Sequence, residues 1–372
     1  MEQEIREYAL EIGFDRVGFT TAEPFTQLKE ALEERKEGYS WISDGLLQLA
    51  HVADPRNVLP SARSVAVFIY DYYKQAYPEE LEGRIGKAYQ SRLYPGKKRL
   101  FGSRLKLIRE FMEAKGMEVG FRPAMAERQA AVRAGVGQFG CNTFIYDPGR
   151  GSYIGIVAMA VSAELETTPA ASETICPDDC RRCIDACPTG ALYAPYKMNP
   201  LLCIAFNTYG AGNFPGAPED IPVEIREKMG YWIYGCDQCQ DACPKNQKRL
   251  KQNLVPDVYL EEMAPKFEPR ALLTMDDRYF SETVQQLLYG YIWEKKFLQR
   301  NAAIALGNSG DDGAVGLLSA AMEDPESLVR QYSAWALGRI GGGKSKRVLD
   351  LHMHREGSDQ VKAEISAALD GF

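Results

Sequence analysis

The chain has 372 residues, 45% of them apolar, with 44 Lys and Arg against 51 Asp and Glu for a net charge of −7. That length gives room for about two or three domains with a sizeable core, and no stretch approaches the ~20 apolar residues needed to span a bilayer. The acidic balance excludes wholesale coating of nucleic acid by charge, while leaving room for a local basic face.

The first 165 residues mix helix and strand signals. Ile5, Ala9, Leu10 and Ile12 mark an opening amphipathic helix that runs into a short strand, Asp15 to Thr20. Ser64 to Tyr70 (SVAVFIY) is a continuous apolar run, as a buried strand requires. Between Arg84 and Arg109 stand nine basic residues and no acid: Arg84, Lys87, Arg92, Lys97, Lys98, Arg99, Arg104, Lys106 and Arg109. Such a block is either a solvated face or an anion site for RNA phosphate or the phosphate-bearing tail of a cofactor. Leu105, Ile108, Phe111 and Met112 form a helical stripe. Glu127 and Arg128 then open a helix that ends in Gly135 and Gly137, where glycine permits close approach of backbone to a ligand. Cys141, beside Gly137-Gln138-Phe139-Gly140, reads as a small packed side chain, a reactive thiol being the alternative. Ser152 to Val161 is a second interior strand. No GxGxxG follows a first strand and there is no P-loop, so neither a dinucleotide nor a nucleoside triphosphate is indicated. Residues 1–165 are expected to be an α/β domain large enough to hold a sizeable cofactor.

Residues 166–250 hold eight of the nine cysteines. The first run is Cys176-x3-Cys180-x2-Cys183-x3-Cys187-Pro188; Cys203 stands alone; the second run is Cys236-x2-Cys239-x3-Cys243-Pro244. In a two-cluster ferredoxin module, the cysteine before proline reaches across to the other cluster. That swap assigns one [4Fe–4S] cluster to Cys176, Cys180, Cys183 and Cys243, and the other to Cys187, Cys203, Cys236 and Cys239. Two structural zinc sites would also consume eight thiolates, but the repeated Cys-x3-Cys-Pro ending is a cluster signature. Cys176-x3-Cys180 is one residue longer than the usual spacing. Disulfides would need an oxidising compartment, and the opening MEQEIREYALEIGF has no apolar signal segment, so reduced cysteines and a cytoplasmic location are expected. Short helices are predicted from Ile184 to Leu192 and before Cys236, followed by a polar linker, PKNQKRLKQNLVP.

Residues 251–372 contain an internal repeat. Arg300-Asn301-Ala302-Ala303-Ile304-Ala305-Leu306-Gly307 recurs 31 residues later as Gln331-Tyr332-Ser333-Ala334-Trp335-Ala336-Leu337-Gly338, and a fainter copy ends at Ala368-Leu369. Small residues at helical spacing with a closing glycine describe stacked helix pairs of the HEAT type. The only histidines are His51, His352 and His354, which leaves little for imidazole catalysis or a His-ligated metal.

Together these features resemble the epoxyqueuosine reductase family over essentially the whole chain. The matching residues are Glu127-Arg128 with Arg133-Ala134-Gly135-Val136-Gly137, then Asn142-Thr143 and Gly151-Ser152-Tyr153. They continue with Cys183-Ile184-Asp185-Ala186-Cys187-Pro188-Thr189-Gly190-Ala191-Leu192, Cys203-Ile204, Tyr234-Gly235-Cys236-Asp237-Gln238-Cys239-Gln240 and Gln299-Arg300-Asn301-Ala302. The resemblance implies an α+β protein: an α/β cobalamin-binding domain (1–165), a ferredoxin-like domain with two [4Fe–4S] clusters (166–250) and HEAT-like helical repeats (251–372). It implies an oxidoreductase that removes the epoxide oxygen of epoxyqueuosine in tRNA, fed by an external donor such as a flavodoxin or ferredoxin, with no membrane partner. Arg128, Gly135, Asn142, Ser152, Tyr153 and Asp237 would serve the cobalamin. The architecture is also similar to reductive dehalogenases.

Three departures bear on the substrate side. The family's presumed proton-donating aspartate falls on Phe121; its Gly-x-Asp-Tyr-His region falls on Gly96-Lys97-Lys98-Arg99-Leu100; and the lysine expected before Asn-Thr is Cys141. Glu127, the nearest carboxylate in the matching loop, is the expected proton donor. The alternatives are a paralogue that reduces a different small substrate with the same cofactors, and a non-catalytic corrinoid or electron-transfer protein.

Overall fold

Val65, Val67 and Ile69 alternate with Ala66 and Phe68 along one strand, and all five are buried, so this strand is covered on both faces. In the computed structural model, which describes residues 1–91, 100–121, 125–170, 172–288 and 290–372, it is the second of four strands in an antiparallel sheet. The strands in chain order are β1 (Arg16–Thr21), β2 (Ser64–Asp71), β3 (Val119–Gly120), β4 (Gln138–Phe139), β5 (Ile145–Tyr146), β6 (Ile154–Val161), β7 (Leu192–Ala194) and β8 (Lys197–Met198). The main sheet runs β1-β2-β6-β3, while β4-β5 and β7-β8 form two small ladders. Arg92, the Gly96 to Arg99 stretch and Arg122 to Ala124 lie outside the described residues.

Contacts divide the chain into two compact units. One comprises Met1–Lys74, Arg92–Asn199 and Gln238–Leu254; the other comprises Gln75–Ser91, Pro200–Asp237 and Val255–Phe372. This division cuts across boundaries at 165 and 250. Leu81 and Ile85 are buried in the core of the second unit, and Gly86 N–H donates to the Tyr234 carbonyl at 2.8 Å.

In the first unit, one face of the sheet packs Phe19, Phe68 and Met159 against Ile5 and Ala9 of helix Glu2–Glu11 and Leu105, Ile108 and Met112 of helix Leu100–Ala114. The other face packs Val65, Val67, Ile69 and Ala158 against Ala130 and Ala131 of helix Glu127–Arg133. The sheet therefore holds the Glu127-Arg128 helix on one side only. Two local expectations are corrected. The helix expected from Ile184 to Leu192 spans only Arg182–Asp185, because Pro188 disfavours helical backbone at Cys187 and Gly190 adopts φ +69° before β7 begins. The expected linker after Cys243 is instead helix Pro244–Leu250, with proline at its first turn and Asn246 buried.

In the second unit, helices Lys295–Ser309, Ser327–Ile340 and Asp359–Leu369 pack in succession. The repeat glycines mark the crossings. A Cβ on Gly307 would lie 2.8 Å from Ala336 Cα, and one on Gly338 would lie 2.6 Å from Ala368 Cβ. The sequence repeat is thus a repeat of close helix contacts. Gly338→Ala is expected to destabilise the protein by about 1–3 kcal/mol through overpacking. Gly316→Ala, where a Cβ meets nothing within 4 Å, should be neutral or stabilising by up to about 1 kcal/mol. Urea unfolding of the two variants checks the contrast.

Candidate functional site

None of the nine cysteines is in a disulfide. In the first unit, Cys141, Cys183, Ile184 and Leu192 form a buried apolar cluster, with Cys176, Cys187, Tyr196, Met198 and Cys239 packed around it. Cys141 N–H donates to Cys176 Sγ at 3.3 Å. Burial pushes the Cys176 thiol up to about 11 and the Cys183 thiol up to about 12, with neighbouring thiols adding to both. Such thiols stay protonated on their own and give up protons to a bound cation. The donor set, all soft sulfur in an apolar pocket with a backbone N–H aimed at one of them, fits an iron–sulfur cluster.

Cys243 is positioned by the helix it caps, Pro244–Leu250, whose Asn246 is fully buried. Asn246 Oδ1 accepts from Ser152 N–H at 3.0 Å, while its Nδ2 donates to Ser152 Oγ at 2.9 Å and to the Gln240 carbonyl at 2.8 Å. Ser152 Oγ donates to Gln240 Oε1 at 2.8 Å, and Tyr153 OH donates to Asp241 Oδ1 at 2.6 Å. A Cβ on Gly151 would sit 2.2 Å from Asn246 Oδ1, and the residue has φ +68°. Only glycine meets both demands. The Gly151-Ser152-Tyr153 motif therefore seats the helix and loop that carry Cys243 and Cys239. Ser152 and Tyr153 are closed to solvent. Asn142, also buried, donates to Tyr146 OH at 2.9 Å and to the Cys239 carbonyl at 3.3 Å. Gly135 (φ +66°) follows the Glu127 helix, where a Cβ would strike the Pro169 carbonyl at 2.2 Å.

Glu127 and Arg128 stand apart from these. Glu127 is half-buried and Arg128 exposed, yet surrounding protein desolvates both, raising the Glu127 carboxyl to about 7 and lowering the arginine. Arg128 donates to the Thr143 carbonyl at 3.1 Å. Arg35 and Tyr39 act electrostatically on Arg128, and Tyr39 OH donates to the Met198 carbonyl at 2.5 Å. Among the described residues Arg35 Nε is buried with no hydrogen-bond partner. An orphaned guanidinium nitrogen beside a second arginine and a tyrosine fits a ligand carrying phosphate and amide acceptors, such as a cobalamin. Phe121, directly after β3, packs against the sheet core.

Cys203 and Cys236 lie in the second unit. Cys203 caps helix Ile204–Tyr209, and Asn207 Nδ2 donates to the Cys203 carbonyl at 3.0 Å. Gly235 N–H donates to Thr208 Oγ1 at 2.9 Å. Both segments are fastened by the first repeat helix. Arg300 donates to the Ala211 and Asn207 carbonyls at 2.7 and 3.0 Å, and Asn301 donates to the Thr208 and Ile233 carbonyls at 2.6 and 2.8 Å. Arg300 is fully buried and lowered to about 10 by desolvation, so it remains charged at neutral pH. Asp237 is buried and accepts from Lys87 N–H at 2.7 Å, with Lys87 Nζ at 3.6 Å. The sequence patterns did not single out Asn246, Arg35 or Tyr39, because each takes its meaning from residues distant in sequence.

A family model for a 4Fe-4S double cluster binding domain matches residues 176–246, and one for HEAT repeats matches residues 294–370. These define the class: an iron–sulfur oxidoreductase with two [4Fe–4S] clusters and a helical-repeat tail. Epoxyqueuosine reductase of Staphylococcus aureus is 31% identical over 100% of this chain and 96% of its own. The structure of epoxyqueuosine reductase from Bacillus subtilis, with its catalytic aspartate loop swung out of the active site, superposes with TM-score 0.85 at 29% identity. It covers 100% of this chain and 98% of that one. A crystal structure of epoxyqueuosine reductase with an epoxyqueuosine-modified tRNA-Tyr stem loop gives TM-score 0.82 at 29% identity, covering 99% and 98%. The chain belongs to the epoxyqueuosine reductase family.

Asn246→Ala is expected to leave the Ser152 N–H without its acceptor and to remove one of the two donors, the other being Cys243 N–H, from the Gln240 carbonyl, at a cost of roughly 1–3 kcal/mol. It should also release iron from the anaerobically purified protein more readily than the wild type does, as timed chelator extraction would report.

Proposed function

We propose that this protein removes the epoxide oxygen of epoxyqueuosine in tRNA, using two [4Fe–4S] clusters and cobalamin. The observation that carries this reading is the full-length likeness to an epoxyqueuosine reductase crystallised with an epoxyqueuosine-modified tRNA stem loop. Cys176, Cys180, Cys183 and Cys243 are the ligands of one cluster, and Cys187, Cys203, Cys236 and Cys239 of the other. Arg128, with Arg35 and Tyr39, offers donors to the acceptor groups of the cobalamin, and Gly135 and Asn142 shape the adjoining backbone. When bound, these groups supply electrons at low potential.

The chain's own residues have a different task. Reducing an epoxide to an alkene consumes an electron pair and releases the oxygen as water, so protons must be delivered to that oxygen. Phe121 has none to give. Glu127, held at about 7 by desolvation against the pull of Arg128, is partly protonated at neutral pH, as a general acid requires. The substrate places the protein with tRNA in the cytoplasm, and a small one-electron carrier such as a flavodoxin or ferredoxin fits as the donor. No described helix is long and apolar enough to cross a membrane.

Two measurements test this reading. Deleting the gene from a strain with no second homologue should leave epoxyqueuosine in its tRNA; normal queuosine levels would contradict the assignment. In the purified enzyme, turnover should fall as pH rises through about 7, because the acid form of Glu127 is the active one. Glu127→Gln should lower turnover by roughly 10²–10⁴-fold and abolish that limb of the profile. Full turnover in Glu127→Gln would remove the residue from the mechanism.

A further inference from the structure

Lys87 belongs to the basic run between Arg84 and Arg109, which the sequence offers as a solvated face or an anion site. The structure gives it a different place. Its side chain is 10% exposed and stands against Asp237, whose side chain is 3% exposed, with Nζ 3.6 Å from Oδ2. The Lys87 backbone N–H donates to the same oxygen at 2.7 Å. An ammonium and a carboxylate are thus both withdrawn from water, one residue along the chain from Cys236.

The backbone is built to bring this pair to the cysteine. Ile233 and Tyr234 N–H both donate to the Arg84 carbonyl, at 2.7 and 3.2 Å, and Gly86 N–H donates to the Tyr234 carbonyl at 2.8 Å. The two segments meet through glycines. A Cβ on Gly235 (φ +83°) would lie 2.2 Å from Tyr89 Cε2 and 3.4 Å from Gly86 Cα, so both conformation and space require glycine there. A Cβ on Gly86 would stand 3.3 Å from Asp237 Oδ1 and 3.3 Å from the Cys236 nitrogen. The carboxylate is therefore folded back toward the cysteine. All of these residues lie in the second unit.

A buried ion pair is weak structural glue, because desolvating two charges offsets most of their attraction. What it does supply is a fixed field. Charge near a metal–thiolate group sets the potential at which that group accepts an electron, and low dielectric extends the reach of each charge. We propose that Lys87 and Asp237 poise the reduction potential of the cluster that Cys236 ligates, the cation favouring the incoming electron and the anion opposing it. Asp237 then acts on the cluster and not, as the resemblance implies, on the cobalamin.

This inference rests on Cys236 being a cluster ligand, which loss of half the iron in Cys236→Ala tests separately. The experiment is an EPR-monitored potentiometric titration of anaerobically purified wild type, Lys87→Met, Asp237→Asn and the double variant. One of the two midpoint potentials should move and the other should stay. Lys87→Met should lower it by about tenfold in the reduction equilibrium, or about 59 mV for one electron. Asp237→Asn should raise it by a similar amount, and the double variant should return close to wild type. Loosened packing would not follow the sign of the charge removed. Iron and acid-labile sulfide content reports assembly of each variant, and cobalamin uptake should match the wild type in all three. Unmoved potentials, shifts of the same sign, or loss of iron from both single variants would overturn the proposal, as would loss of cobalamin uptake in Asp237→Asn.

Discussion

The architecture of the first unit turns on one buried side chain. Asn246 sits one turn into the helix that Cys243 caps, and it closes three hydrogen bonds onto Ser152 and Gln240. The bonds are worth having only because Gly151 lets the backbone come within reach. Through them the segment carrying Cys239 and Cys243 is tied to Ser152, two residues before β6 begins. Asn142 ties the Cys239 carbonyl down in the same manner. A cluster held by a loop alone would depend on the loop's fluctuations. Here the sulfur positions inherit the rigidity of the sheet.

The two halves of the chemistry are preserved to different degrees. On the electron side, the cysteine runs, the seating motif and the carbonyl-clamping pair Arg300-Asn301 all have defined partners. A buried cation without a carboxylate partner among the described residues, as Arg300 is, bonded to backbone carbonyls and the Asn301 side chain, costs desolvation energy that must be offset by the order it imposes. It imposes that order on the segments leading to Cys203 and Cys236. On the proton side we propose a different donor from the expected one. Phe121, where an aspartate is expected, packs on the sheet core, and Glu127, the proposed donor, has its carboxyl raised to about 7 by burial.

Much of this was legible in the sequence wherever the signal is local. The apolar run at Ser64 to Tyr70, the Cys-x3-Cys-Pro endings and the 31-residue repeat each encode a structure within a short window, and each corresponds to a feature of the fold or of the matched families. Helix Pro244–Leu250 was hidden because a single buried asparagine, with no apolar stripe, holds it in place. The helix expected after Ile184 stopped early because proline and a left-handed glycine overrule apolar content. The placements of Arg35, Tyr39 and Cys141 depend on partners far along the chain, and no periodicity announces such contacts.

Electrons entering through two clusters should leave as the reduction of an epoxide on tRNA. The most direct test supplies the cluster-loaded, cobalamin-supplemented protein anaerobically with a low-potential reductant and an epoxyqueuosine-bearing tRNA stem loop, then weighs the modified nucleoside. The expected result is loss of a single oxygen atom from the nucleoside, dependent on both cobalamin and reductant. Full reduction of both clusters with the epoxide left intact would contradict it.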